Sequence, residues 1–260
     1  MKEFFGIGGY TRTPEGYMSP AHIIFVSSLM IVMIAAAVIL GLAYRKKDFN
    51  QKIKVIAAAA IIMDSIELFK IVFVCWREHS FSHVLLVLPL FLCSIPLFTL
   101  PLSAFGKGRL REAALDFTFI FGLLIAFLGT YGAGQNYSAY PVLGFDNVVS
   151  GITHAIAGFA ALYIAIAGLL SMKKENIGIS FGILCSFCVA AYVADVLIPY
   201  NYMFLMRGDG TPYDIFYNLV NGSKVLYPLI VVFLFLLYIS CFYAVFFLIK
   251  KHRAKEKQTA

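Results

Sequence analysis

Seven long apolar segments limit what this chain can fold into more than any other feature of its sequence. They cover residues 22–44, 54–76, 83–105, 113–131, 149–171, 177–200 and 224–249. A helix needs about 20 apolar residues to cross the hydrocarbon layer of a bilayer, and it satisfies its own backbone hydrogen bonds there. The sequence therefore predicts an all-α polytopic membrane protein, with seven transmembrane helices in a single membrane domain over 1–260.

The composition excludes a water-soluble domain. Hydrophobic side chains make up 61% of the 260 residues and charged ones 13%, and the mean hydropathy is +0.84, which leaves too little polar surface to face water. The first apolar segment exceeds the roughly 7–15 residues of a secretory signal core, so we expect a retained span. Nucleic-acid binding is disfavoured, because the basic residues flank helices without interleaved aromatic side chains.

The basic residues also predict the orientation. Of the 21 lysines and arginines, 15 lie in the connections after the first, third and fifth spans and in the tail after the seventh. Cytoplasmic segments carry the excess of positive charge, so we expect the N-terminus outside and the C-terminus in the cytoplasm. That arrangement requires an odd number of spans, in agreement with the hydropathy.

Ionisable side chains inside the spans are costly in lipid and mark candidate functional positions. Asp64, Glu67 and Lys70 follow one helix face at intervals of three, so Glu67 can pair with Lys70. Such a pair either serves a site or only holds helices together. The other polar residues that the orientation places in the outer half of the membrane are His154, Tyr192, Asp195 and Asn201. We expect Asp116 at the cytoplasmic interface instead.

The third span contains the most unusual segment, LPLFLCSIPLFTLPL, in which Pro89, Pro96 and Pro101 surround Cys93. A proline inside a helix leaves the carbonyl four residues earlier without its partner. The freed carbonyls are those of Leu85, Leu92 and Leu97. Broken backbone at membrane depth must be buried in protein or line a cavity. The segment therefore predicts an inner helix kinked at Pro96, with Cys93 about 15 Å deep, either as a site or as a small filler at a packing kink.

The cysteines form no recognisable disulfide or metal pattern. All five lie in or beside apolar segments, and their odd number provides no disulfide framework. Cys185 and Cys188 share a C-x-x-C spacing, but no histidine or carboxylate lies in the segment around them. We interpret both as small core residues and expect no metal and no other cofactor.

The two long connections predicted on the outer side, 132–147 and 201–218, are rich in aromatic and turn residues. Loops of this kind cap an outward-facing cavity, or their aromatic side chains form a belt at the membrane interface. Both interpretations stay open.

Four short motifs are shared with a known family. They are LPLFLC at 88–93, THAIAG at 153–158, NYMFL at 201–205 and YP at 227–228. Together they resemble the YwaF-type multipass membrane proteins of bacteria, over spans two to seven. One departure is Phe91, where the family commonly has a histidine directly before the Leu-Cys pair. The resemblance implies a multipass protein of the bacterial plasma membrane.

That family is similar to the eukaryotic transmembrane protein 164 family, which is associated with acyl transfer between phospholipids. The resemblance implies a Cys93 nucleophile and a His154 general base, with phospholipid and lysophospholipid as substrates. A base is needed because a thiol becomes a strong nucleophile only when it loses its proton. The predicted depths place His154 about 5–8 Å nearer the outer surface than Cys93. The residues expected to support this pair or bind substrate are Glu67, Lys70, Asp195, Asn201 and Tyr202.

Two other classes of function stay open. A transporter or proton-coupled carrier would use Asp64, Glu67, Lys70 and Asp195 as a charged path, although transporters usually show broken helices in both of two repeated halves and only one span here is strongly broken. A seven-helix sensor or scaffold for partner proteins needs no catalysis. The sequence indicates no particular oligomeric state.

Overall fold

The chain folds into a bundle of helices. The computed structural model describes residues 1–86, 88–198 and 200–259, and this part contains helices and turns but no β-strand. In chain order its α-helices are α1 (Lys2–Phe5), α2 (Pro20–Tyr44), α3 (Phe49–Arg77), α4 (Pro96–Phe105), α5 (Gly108–Leu128), α6 (Gly134–Ala139), α7 (Phe145–Ile166), α8 (Lys174–Leu197), α9 (Asp214–Leu219) and α10 (Leu226–Thr259). Val87 in the third predicted span and Pro199 in the sixth lie outside the described residues. The predicted all-α class is confirmed.

The long helices pack antiparallel in several pairs. Arg77 at the end of α3 bonds to Asp146 at the start of α7, and Lys52 near the start of α3 accepts a hydrogen bond from Tyr163 near the end of α7. Gly122 lies against Ala157, and Gly129 lies against His154, so α5 is antiparallel to α7. Ser180 bonds to Tyr243 and Tyr192 to the carbonyl of Lys224, so α8 is antiparallel to α10. We call the end at which α3 ends and α7 begins the loop-rich end, because it holds residues 1–19, 129–144 and 200–225.

Four helices are long and apolar enough to cross a membrane by themselves. They are Pro20–Tyr44, Phe145–Ile166, Lys174–Leu197 and Leu226–Ala254 within α10. Helix α3 is also long, at 29 residues, but it carries Asp64, Glu67 and Lys70. Helix α4 has only 10 residues. The number of seven spans and their orientation therefore remain predictions.

The third predicted span, 83–105, is not one kinked helix. A 3-10 turn at Leu92–Ser94 follows a non-helical stretch, and α4 begins only at Pro96. The Leu92 carbonyl, predicted to lose its partner, accepts a hydrogen bond from the Ile95 N–H at 3.3 Å. The prediction of a kink at Pro96 is wrong, because a proline ring at the first position of a helix needs no N–H partner and has a suitable φ.

Helices α5 and α7 approach each other closely. A β-carbon built on Gly122 would lie 2.6 Å from the carbonyl oxygen of Ala157 and 2.8 Å from the β-carbon of Ala161. Small residues at such positions let helix backbones come together inside a membrane. The close contact fixes the positions of α7 side chains relative to α5.

Asp116 is buried at the end of the bundle opposite the loop-rich end, which is the predicted cytoplasmic end. Its side chain is 0% exposed and accepts hydrogen bonds from the backbone N–H groups of Ser171 and Met172 and from the side chain of Asn176, at 2.8–3.1 Å. A buried carboxylate is tolerated when donors surround it. Asp116 therefore holds the connection between α7 and α8. Its level in the bundle is compatible with the prediction, whereas its burial was not predicted.

The two connections rich in aromatic residues, 132–147 and 201–218, bury some of their side chains in the interior of the bundle. Tyr137 in α6 is 2% exposed and stacks on His22, with ring centroids 3.9 Å apart. Tyr202 is 0% exposed. These two tyrosines are therefore core residues of the bundle and do not belong to an interfacial belt.

The N-terminal segment covers part of the loop-rich end through a buried ion pair. Arg77, with a side chain 6% exposed, makes two hydrogen bonds to Asp146 and one to the carbonyl of Phe5. The hydroxyl of Tyr10 donates to the same carboxylate at 2.6 Å. Bidentate pairing with further donors is the geometry that makes a buried ion pair favourable.

Candidate functional site

His154 lies in α7 with one ring nitrogen bonded and the other free. Its Nδ1 is 2.6 Å from the carbonyl oxygen of Ser150. A carbonyl oxygen only accepts, so Nδ1 must carry the proton, which makes Nε2 the nitrogen with the lone pair. Among the described residues Nε2 has no hydrogen-bond partner. The imidazole is therefore held in the tautomer that a general base requires.

The other fully buried histidine shows the contrast. His22 accepts a hydrogen bond at Nδ1 from the N–H of Met18, at 3.1 Å, and its Nε2 donates to the carbonyl of Thr130, also at 3.1 Å. Both of its nitrogens are used within the protein. His22 is thus bonded through both nitrogens, whereas Nε2 of His154 has no hydrogen-bond partner among the described residues.

The ring of His154 lies against Gly129, the residue that follows α5. A β-carbon built on Gly129 would overlap the imidazole, with the ring carbon Cγ only 2.7 Å away. Gly129 has φ −74° and ψ −8°, which any residue adopts without strain. The glycine is therefore required for space and not for its backbone conformation.

Cys93 lies in the 3-10 turn that precedes α4. It is partly buried and packs against the main hydrophobic core, and the Ser94 side chain is beside its thiol. The positive end of the α4 dipole lies at this turn and favours a negative charge there. The turn therefore places the Cys93 thiol at the N-terminal end of α4.

The Glu67–Lys70 ion pair lies near both Cys93 and His154. The two side chains are 2.5 Å apart in α3, with 12% and 24% of their surface exposed, so the predicted pairing is confirmed. Both charges lie within electrostatic range of the Cys93 thiol and of the His154 imidazole. The structure therefore brings four of the predicted residues into one region.

The helix registers define the levels of these residues. Arg77 pairs with Asp146, and seven residues along each helix bring Lys70 level with the turn that contains His154. Thr99 in α4 bonds to Thr118 in α5 and so lies at the same level. Cys93 lies six residues nearer the loop-rich end than Thr99, and Gly129, which touches His154, lies eleven residues nearer than Thr118. At 1.5 Å per residue, Cys93 is roughly 7 Å farther from the loop-rich end than His154. This separation agrees with the predicted depths.

No hydrogen bond joins the Cys93 thiol to the His154 imidazole, although the structure describes both residues. Asp64, the third charged residue of the predicted face, has one carboxylate oxygen buried and without a partner among the described residues. In the described part of the chain, no group of three or more histidine, cysteine or acidic residues is arranged to hold a metal ion.

Asp195, Asn201 and Tyr202 make hydrogen bonds within their own part of the chain and none to His154 among the described residues. Asp195, 4% exposed, accepts a hydrogen bond from the N–H of Tyr202 at 2.7 Å. Asn201 bonds to Asp209 and to the backbone of residues 206–207. These contacts order the NYMFL segment. The second carboxylate oxygen of Asp195 is buried and has no hydrogen-bond partner among the described residues.

Tyr202 connects that segment to the Cys93 region. Its hydroxyl donates to the carbonyl of Leu85, one of the carbonyls that the prolines were expected to free. Its ring packs edge-on against Phe91, with centroids 5.1 Å apart. Phe91 also contacts Tyr200, so the aromatic residue that replaces the family's usual histidine packs against tyrosines.

Gly129 and Ser150 were not predicted from the sequence. Ser150 precedes His154 by four residues, which is the spacing at which a helix side chain meets a backbone carbonyl. No local pattern in the sequence identifies Gly129, because the residue that it contacts, His154, lies 25 positions later.

A family model agrees with the motifs. The model of the TMEM164 family matches residues 17–246, which is most of the chain. No curated protein and no solved structure matches this chain. Together with the four long apolar helices, the match identifies an integral membrane protein. The chain belongs to the TMEM164 family.

Proposed function

We propose that the protein transfers acyl chains between phospholipids, with Cys93 as the nucleophile and His154 as the general base. The observation that carries the proposal is the state of His154. Its Nδ1 proton is held by the Ser150 carbonyl and its Nε2 has no partner among the described residues. The ion pair beside it also reaches the only cysteine of the LPLFLC motif.

In the first half-reaction, Nε2 of His154 takes the proton of the Cys93 thiol, and the thiolate attacks the ester carbonyl of a phospholipid. The tetrahedral intermediate collapses by breaking the bond to the glycerol oxygen. That oxygen takes the proton from the imidazolium and leaves as the hydroxyl of a lysophospholipid. The acyl group remains on Cys93 as a thioester.

In the second half-reaction, the hydroxyl of another lysophospholipid attacks the thioester carbonyl and gives its proton to Nε2. The intermediate expels the Cys93 thiolate, which takes the proton back from His154. The products are a new phospholipid and the free thiol, so protein and protons return to their starting state without a cofactor.

Of the two charges near the site, Lys70 supports both steps and Glu67 opposes them. Lys70 reaches the thiol electrostatically and would stabilise the thiolate and the oxyanion of each intermediate. Catalytic hydrogen bonds are often long before substrate binds. The Cys93 turn follows a stretch without regular helix hydrogen bonds, so we propose that bound lipid draws it toward His154.

The proposal includes a location and an orientation. The protein would lie in the bacterial plasma membrane with seven spans and with the loop-rich end outside. In support, the seven segments α2, α3, 83–105, α5, α7, α8 and α10 correspond to the apolar segments of the sequence. The basic connections lie at the end opposite the loop-rich end.

The test is an assay in proteoliposomes of defined lipid. The purified full-length chain receives phosphatidylcholine with a labelled acyl chain and unlabelled lysophospholipid, and transfer of label is measured. Cys93→Ala and His154→Ala should each lower the rate by at least about a thousandfold, the order found when a nucleophile or its base is removed.

Two variants serve as controls. Cys185→Ala removes another partly buried cysteine, and His79→Ala removes a histidine in the turn after α3. Both should keep the rate of the unchanged protein. Equal transfer by Cys93→Ala, His154→Ala and the unchanged protein would show that this cysteine and histidine are not catalytic.

A further inference from the structure

A groove runs between α4 and α8 in the half of the bundle away from the loop-rich end. Its volume is about 450 Å³, and one side is open to the surroundings of the bundle. Phe98 and Phe187 meet edge-on across it, with ring centroids 5.0 Å apart. Leu102 and Ile183 lie one turn farther along the two helices.

The groove exists because α8 has small residues at the positions that face α4. A β-carbon built on Gly182 would meet no atom within 4 Å. Ser186, also in the lining, is the other small residue on this face. A larger side chain at position 182 would therefore fill the groove without disturbing the backbone.

The lining offers neither a charge nor a free hydrogen-bonding side chain. The hydroxyl of Ser186 donates to the carbonyl of Gly182 at 2.7 Å, and the hydroxyl of Thr99 accepts from Thr118 at 3.0 Å. The remaining lining side chains are hydrocarbon. A groove whose polar groups are already satisfied binds apolar ligands, and within a membrane the available ligand is an acyl chain.

The groove lies close to the candidate site along α4. Cys93 lies in the turn before α4, and Phe98 in the first turns of α4 marks the near end of the groove. The distance along the helix is roughly 7 Å, at 1.5 Å per residue. An acyl group attached to Cys93 and directed away from the loop-rich end would follow α4 into this space.

We propose that the groove between α4 and α8 binds the tail of the acyl chain that Cys93 accepts, and so selects donors by chain length. This inference rests on the proposed acyl transfer. Gly182 is then the residue that determines specificity, because the depth of the groove depends on its missing side chain.

The experiment compares Gly182→Leu with Gly178→Leu. Gly178 lies one turn earlier on α8, a β-carbon there also meets nothing within 4 Å, and it does not line the groove. Donors with an oleoyl or a hexanoyl chain are supplied to each protein in proteoliposomes. Gly182→Leu should lower oleoyl transfer about tenfold or more while hexanoyl transfer persists, and Gly178→Leu should leave both rates unchanged. An unchanged ratio of the two rates in Gly182→Leu overturns the proposal.

A second measurement does not depend on activity. Phosphatidylcholine with a photoreactive diazirine near the end of one acyl chain is cross-linked to each protein in the Cys93→Ala background, and labelled residues are located by mass spectrometry. Label should be enriched at Leu102 and Ile183, and Gly182→Leu should remove it whereas Gly178→Leu should not. Equal labelling in both variants overturns the proposal that the groove binds the end of the acyl chain. Absence of transfer in the unchanged protein, with the labelling as expected, would instead overturn the acyl-transfer function alone.

Discussion

The imidazole of His154 occupies the space that a side chain at Gly129 would fill. This contact joins the residue that follows α5 to the middle of α7. Nothing in the backbone angles of Gly129 requires a glycine. Together with the Ser150 carbonyl, this contact determines where the free nitrogen of His154 points. The position of the proposed base is therefore set by packing between two helices.

Gly129→Ala is expected to lower acyl transfer about tenfold or more, because its methyl group would displace the imidazole. Overpacking at such a contact also costs about 1–3 kcal/mol of stability. Gly134→Ala is the matched control, since a β-carbon there would lie at an ordinary 3.6 Å from Tyr17. Rates and melting temperatures of both variants test this, and full activity of a folded Gly129→Ala protein would contradict it.

Tyr202→Phe is expected to loosen the Cys93 region. The change removes the hydroxyl that donates to the carbonyl of the exposed residue Leu85, at a cost of about 0.5–1.5 kcal/mol, the usual contribution of one hydrogen bond. Alkylation of Cys93 by a maleimide should become faster in a protein whose other cysteines are replaced. Tyr200→Phe, which keeps the ring contact with Phe91, should leave the alkylation rate as it is.

The Glu67–Lys70 pair allows a test of structural against electrostatic importance. Lys70→Met leaves the Glu67 carboxylate without its partner and should destabilise the protein more than Glu67→Gln combined with Lys70→Met, because a lone buried charge costs more than none. If Lys70 stabilises the thiolate, the double variant regains stability but not activity. Recovery of both in the double variant would assign the pair a structural role only.

Asp116→Ala is expected to destabilise the protein by about 3 kcal/mol or more, because several buried donors, including two backbone N–H groups, lose their acceptor. Glu112→Ala is the comparison on the same helix. Its exposed ion pair with Lys173 contributes about 0–1 kcal/mol. Denaturation of both variants in detergent measures the difference, and equal midpoints would contradict the role of Asp116.

Local patterns in the sequence were sufficient for the class of protein and for contacts within one helix. Apolar runs predicted the long helices, and the three-residue spacing predicted the Glu67–Lys70 pair. Each of these depends on residues a few positions apart, whose geometry is set by the helix itself. The Leu85 carbonyl does accept a hydrogen bond from Tyr202, but Pro89 lies in a non-helical stretch, so it does not free this carbonyl from a helix as predicted.

Which side chains of different helices contact one another could be learned only from the tertiary structure. In a soluble helix the polar face reveals the buried one, but lipid and protein interior are both apolar, so the pattern of a membrane span carries little information about its neighbours. That is why the sequence predicted neither the burial of Asp116 nor the contact of Gly129 with His154, and why the kink expected at Pro96 is wrong. The sequence by itself determined a helical membrane protein with a cysteine and a histidine worth testing. Only the packing of α3, α5 and α7 decided which nitrogen of that histidine is free and which charges lie beside it.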